Sequence, residues 1–333
     1  MPPPLSIVLG SLLLLVAIGD LIWSTLSTSG AGAVSRRVAS YLWRMSLGVH
    51  RRVGSHRLLE ASGPVIVVAI VVVWIALLWA GWLLIFIASP QAVVDATTHA
   101  PAGFADRVYY VGFTLFTLGV GDFAGGAPVW RVLTAVASIN GLFAITLAIT
   151  YLLPIVSAAT AKRQLALLIH SLGDTAADIV ANGWNGEDFS GLADQLRNIT
   201  PLLLLHSERH LAYPVLHYFH SSDPKASLAP RILALDDAVS LLSDCVDDTQ
   251  RPDPAVLRAM RHALDVLNER IQHRFVAQAG EAPAVPDLEA LRSAGVTLAD
   301  SVRCRRAFDE RASRRKWLLG FVQGDGWQTR PSQ

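Results

Sequence analysis

Thr117-Leu118-Gly119-Val120-Gly121-Asp122 lies in the short gap between two long apolar runs, and its reading decides the fold. Glycine stands at every second position, bracketed by a threonine and an aspartate. Glycine enters left-handed backbone conformations at little cost, so alternate glycines at membrane depth let successive carbonyls turn toward one axis. Carbonyls so arranged replace the water around a dehydrating cation. The flanking runs are long enough for that depth, since about 20 apolar residues at about 1.5 Å each cross a bilayer. Val65 to Ala88 carries no charge and holds Trp74, Trp79 and Trp82; Val129 to Ala158 opens on Trp130 and Arg131. Leu5 to Leu26 is a third run, and the Met-Pro-Pro-Pro start has no positive n-region, so a retained span is expected rather than a cleaved signal peptide.

The segment resembles the filter loop of the potassium channel pore-loop family, Thr-Val-Gly-Tyr-Gly. Thr117, Gly119, Gly121 and Asp122 match, Leu118 exchanges one aliphatic residue for another, and Val120 stands where that family usually has Tyr or Phe. The resemblance implies ion-binding carbonyls from Thr117, Leu118, Gly119, Val120 and Gly121, a further hydroxyl from Thr117, and Asp122 at the outer mouth. It implies K+ as the permeant ion and no cofactor. Phe116 and Val120 depart from the pattern, which leaves two alternatives open: a weakly selective or nonselective cation channel, or a nonconducting membrane sensor or scaffold with a pore-like loop.

Composition agrees with a chain that is part membrane and part soluble. Of 333 residues 52% are hydrophobic and 17% charged, with Lys and Arg at 28 against 27 acids. Charge is confined to particular segments. Cys245 and Cys304 lack ligand-like spacing, so they are expected to be reduced thiols. Arg36, Arg37, Arg44, Arg51, Arg52 and Arg57 face only Glu60 in the first loop, whereas Asp95, Asp106 and Asp122 accompany Arg107 in the second. The positive-inside rule then predicts a multi-pass protein of the cell membrane, with three spans, the N-terminus outside and the C-terminal region cytoplasmic.

Asp20 is the ionisable residue of the first span, expected near its inner end to reach headgroups or an arginine of the next loop, with a functional role as the other reading. Val38, Leu42, Met45 and Val49 recur at helical spacing beside arginines, which predicts an amphipathic helix on the inner leaflet. From Asp106 to Phe116 the chain is aromatic and apolar, as a pore helix dipping partway into the membrane would be, with Asp106 capping its N-terminus. The chain holds one such filter segment, so a homotetramer in membrane lipid is the expected assembly. In the long third span Gly141 and Pro154 are candidate gating hinges.

The expected fold is therefore an all-α membrane protein, a tetrameric pore-loop channel plus an N-terminal span and an α-helical cytoplasmic domain. Its divisions are an N-terminal helix over 1–30, a basic linker over 31–63, a pore domain over 64–159 and the helical region over 160–333. Within the pore domain the outer helix is expected over 65–88, the pore helix over 105–116, the filter over 117–122 and the inner helix over 129–158. The soluble helices are expected over Asp188–Asn198, Pro201–His220, Leu228–Asp247, Asp253–Phe275 and Val296–Phe321, with Thr200-Pro201 and Asp253-Pro254 as helix starts. No Gly-x-Gly-x-x-Gly loop indicates a nucleotide-binding regulatory domain, and the regulatory ligand is unknown. His206 and His210, one helical turn apart, are a candidate metal pair, weighed against ordinary surface histidines that sense pH. The basic run from Arg303 to Lys316 lacks an aromatic platform for nucleic acid, and no enzymatic motif is present.

Overall fold

The computed structural model describes residues 2–272 and 276–327, in two compact units. The first comprises residues 1–41 and 65–155, the second residues 42–64 and 156–333. The described elements are overwhelmingly helical: α1 (Pro3–Leu26), α2 (Ala33–Val53), α3 (His56–Phe86), α4 (Phe104–Leu115), α5 (Pro128–His170), α6 (Ala176–Gly183), α7 (Ser190–Ala212), α8 (Leu228–Ser240), α9 (Pro254–Gln272), α10 (Glu289–Ser293), α11 (Ser301–Glu310) and α12 (Ala312–Gly324). A two-residue antiparallel ladder, β1 (Val94–Asp95) with β2 (Phe123–Ala124), departs from a purely helical fold. Helices α1, α3 and α5 are long and apolar enough to cross a membrane.

In the first unit the N-terminal span, expected as an element over 1–30, packs against α3. The reason is a close helix contact. A side chain at Gly10 would lie 2.6 Å from the Gly81 carbonyl, so small residues on α1 and α3 let their backbones approach. Asp20 adds a second tie. Its carboxylate is buried and accepts from Val34 N at 2.7 Å, Ser35 N at 3.1 Å, Ser35 Oγ at 2.5 Å and Trp74 Nε1 at 2.9 Å. Asp20 thus caps the first turn of α2 and anchors the α3 tryptophan, and among the described residues it has no arginine partner. Each donor it satisfies would otherwise be buried without a partner, which is the costly arrangement.

Helix bounds differ from the expected ones at identifiable places. Helix α5 continues to His170, past the apolar run that ends at Ala158. Helix α7 runs through Pro201, where a helix start was expected. Proline removes one backbone donor at a cost of about 3 kcal/mol, but Leu196, Ile199 and Leu203 of α7 are buried in the core of the second unit with Met260, Leu264 and Leu267 of α9. Burial of several such side chains, at about 2 kcal/mol each, outweighs that loss. Helix α8 ends in a π-helical turn over Leu241–Cys245. The expected helix over Val296–Phe321 is split at Arg311, with Asp300 capping α11 through Val302 N at 3.2 Å. Asp253 caps α9 by accepting from Ala255 N at 2.8 Å; the expected end of that helix at Phe275 lies outside the described residues.

Replacing Asp20 with Ala orphans four donors. We expect Asp20→Ala to lower unfolding stability by about 2 kcal/mol or more, read as a fall in thermal midpoint in detergent. An unchanged midpoint would contradict the capping role.

Candidate functional site

The loop of interest is held by the helix that precedes it. Gly103 begins α4 and donates its backbone N–H to Asp106 at 3.0 Å, so Asp106 caps the N-terminus as its position in the sequence suggests. The aromatic residues of α4 then find partners: Tyr110 meets Phe86 edge to face at 5.4 Å and its hydroxyl lies 2.5 Å from Thr134 Oγ1. Trp79 Nε1 donates to the Val108 carbonyl at 3.1 Å, and a side chain at Gly112 would stand 2.6 Å from the Trp79 ring. Arg107 is buried and donates to the carbonyls of Phe86, Ser89 at 2.8 Å, Pro90 at 3.1 Å and Ala102 at 3.0 Å. A guanidinium there satisfies carbonyls that the end of α3 leaves open, with the sign that a helix C-terminus favours.

Helix α4 ends in a Schellman arrangement. Leu118 N donates to the Phe113 carbonyl at 2.8 Å and Thr117 N to the Thr114 carbonyl at 3.1 Å, which puts Thr117 at the position where helices usually place a left-handed glycine. Thr117 has φ +56°, Gly119 +60° and Gly121 +89°, while Leu118 and Val120 do not have positive φ. A β-branched residue pays about 1–2 kcal/mol in that region, and such strain concentrates where function needs the conformation. No neighbouring atom crowds Gly119, so its glycine is required by φ alone.

From Thr117 to Asp122 every residue is exposed in the single chain, and among the described residues no donor reaches the carbonyls of Thr117 through Gly121. The far end is pinned: Ala96 N donates to the Asp122 carbonyl at 2.9 Å, beside the ladder of β1 with β2. The structure therefore brings Thr117, Leu118, Gly119, Val120, Gly121 and Asp122 together as one stretch tied at both ends. Gly141, in α5, faces the last turn of α4, where a side chain would stand 1.9 Å from the Leu115 carbonyl. That close approach gives the glycine a packing reason besides bending. Pro154 lies within the continuous α5.

A search among known proteins finds one informative relative, a Bacillus subtilis (strain 168) protein described as uncharacterized membrane protein YdjJ. The two are 31% identical over 319 residues, covering 95% of this chain and 93% of the relative. The chain belongs to the same family as YdjJ. No family model matches the sequence, and no solved structure matches it. Kinship with YdjJ, together with α1, α3 and α5, makes this a multi-pass membrane protein. The similarity to YdjJ extends over nearly the whole chain, so it takes in the loop and the C-terminal helices alike.

His206 and His210 depart from expectation. Both are buried in the second unit, with ring centroids 5.9 Å apart, and His217 lies 5.7 Å from His210. Among the described residues no three His, Cys, Asp or Glu converge as a metal site requires, and both histidines are buried, where surface ones are the alternative expected from sequence. Burial lowers all three below the ordinary histidine value, His210 to about 3; Lys162 adds to the lowering of each, His210 to that of His206 and His217, and Arg209 to that of His206. A second cluster was missed by the sequence reading because its members are far apart in the chain. His56 Nδ1 lies 3.0 Å from His220 Nε2, His220 Nδ1 lies 3.4 Å from Asp325 Oδ2, and Trp327 stacks on His56 at 4.2 Å.

Neutral buried histidines make stability depend on pH with a definite sign. Their folded values lie below the unfolded value near 6.5, so the unfolded chain binds more protons and stability falls as pH drops from about 6.5 toward 3, by up to about 1.4 kcal/mol per pH unit per histidine. Thermal midpoints should fall between pH 7.5 and pH 5, and His210→Gln should flatten that slope. An equal slope in the variant would contradict the assignment.

Proposed function

We propose that this chain is one subunit of a potassium-type channel, conducting K+ through carbonyls contributed by Thr117, Leu118, Gly119, Val120 and Gly121 of four copies around an axis. The observation that carries the reading is the alternating sign of φ across Thr117, Gly119 and Gly121 in a stretch whose carbonyls have no partner among the described residues. Alternation of this kind suits carbonyls that face one side, where they replace an ion's hydration shell. One chain supplies one wall, so the reading calls for a homotetramer. The C-terminal end of α4 leads directly into the loop, and its partial negative charge favours a cation. Asp122, at the outer mouth, adds attraction for cations. The arginines of the first loop support a cytoplasmic location for that loop, and with it an N-terminus and a 117–122 loop outside and a C-terminal region inside.

A weakly selective cation channel is the second reading, and Val120 favours it. The residue is 52% exposed in the single chain, and its side chain has no atom that could hydrogen-bond behind the carbonyl ring, as a tyrosine in its place would.

Reconstitution in liposomes tests both readings. Expected are four copies per particle in mild detergent and a barium-sensitive K+ flux. Gly119→Ala should abolish the flux, because alanine at φ +60° carries about 1–2 kcal/mol of strain. Thr117→Gly relieves strain, so its thermal midpoint should not fall while its flux is reduced. A protein that stays monomeric or dimeric and carries no flux would refute the proposal.

A further inference from the structure

In the second unit a cavity of about 490 Å³ lies over one face of α9. Leu257, Arg258, Arg261 and His262 recur there at helical spacing, and the face is joined by Arg251 and Pro252 from the preceding segment and Arg311 from the junction of α11 and α12. Four guanidinium groups therefore line it against one carboxylate, Asp265, which is already engaged by Arg314.

Three of the four arginines are held in place by anchors on one edge. Arg251 Nε donates to the Val246 carbonyl at 3.0 Å and the side chain pairs with Asp248; Arg261 donates to Asp236 Oδ1 at 2.9 Å and Ser240 Oγ at 2.8 Å; Arg311 donates to the Ala307 carbonyl at 3.0 Å and pairs with Asp244 at 2.9 Å. Arg258 is exposed and makes no hydrogen bond or ion pair among the described residues. Asp248, Asp236 and Asp244 offset three of these charges and fix their side chains, which leaves Arg258 as the uncompensated donor for an anion, and the guanidinium fork matches phosphate oxygens in pairs. Pro252, Pro254 and Leu257 add an apolar wall that an inorganic ion would not use. The volume lies within the roughly 300–1,000 Å³ of small-molecule sites; the cavity lined by Lys162 and Asp325, at about 220 Å³, lies below it.

We propose that this cavity binds a small organic phosphate, with Arg258 as the principal phosphate-binding residue and the proline-leucine wall against the organic part. The site does not rest on the channel reading, and its test reads binding alone.

The full chain in detergent micelles at fixed ionic strength is titrated with ATP, AMP, pyrophosphate and orthophosphate, and separately with phosphatidylglycerol in the micelle. A nucleotide is expected to raise the thermal midpoint by about 2 °C or more at saturation. Arg258→Glu should weaken that binding at least about tenfold while the ligand-free midpoint stays unchanged. Arg305→Glu, the same charge change on an exposed face of α11 outside the cavity, should leave binding intact. The proposal is overturned if no phosphate compound shifts the midpoint, if orthophosphate binds as well as the nucleotides, if only the lipid shifts it, or if Arg305→Glu weakens binding as much as Arg258→Glu.

Discussion

Main-chain carbonyls from Thr117 to Gly121 that no donor among the described residues satisfies are the constraint on which the first unit is organised. In water such groups are unremarked. In a segment flanked by helices long enough to span a bilayer they need either protein or a polar cavity, because hydrocarbon offers no hydrogen bond. Holding them open requires φ values that only glycine adopts cheaply, and Thr117 adopts one at a cost. That expense is sustained only because the loop is tied at both ends.

The ties form a connected set. Asp106 starts α4, Arg107 closes the carbonyls that follow α3, and the Schellman turn at Phe113 and Thr114 delivers the chain into the loop. Gly112 admits Trp79 and Gly141, a candidate hinge by sequence, admits the end of α4, so both glycines serve as contact points. Asp20 extends the set to α1 and α2 by accepting from Trp74 and from the first turn of α2. In the second unit stability has another source, the apolar core shared by α7, α8 and α9, with Asp237 and Arg315 forming a buried bidentate pair at 2.8 and 2.9 Å.

The spans, the capping role of Asp106 and the helical character of the C-terminal region are legible in the sequence because each rests on local periodicity or a local turn signal. What the sequence hides is non-local. The Gly10 and Gly81 contact, the Asp20 and Trp74 bond and the chain from Asp325 through His220 to His56 join residues that no short pattern relates. Local rules fail where burial overrides them: Pro201 begins no helix because the core side chains around it fix α7 as one rod. His206 and His210 have metal-like spacing, yet the structure buries them, and among the described residues no group of three ligands forms around them. The 117–122 loop lies between these cases, its glycines visible in sequence and its unpaired carbonyls visible only in the fold.

The role proposed for these carbonyls is to line a path for K+. A planar bilayer recording of the reconstituted protein, with K+ on one side and Na+ on the other, tests it most directly. Current that reverses near the K+ equilibrium value is expected. The absence of single-channel current from protein shown to be folded and inserted would contradict it.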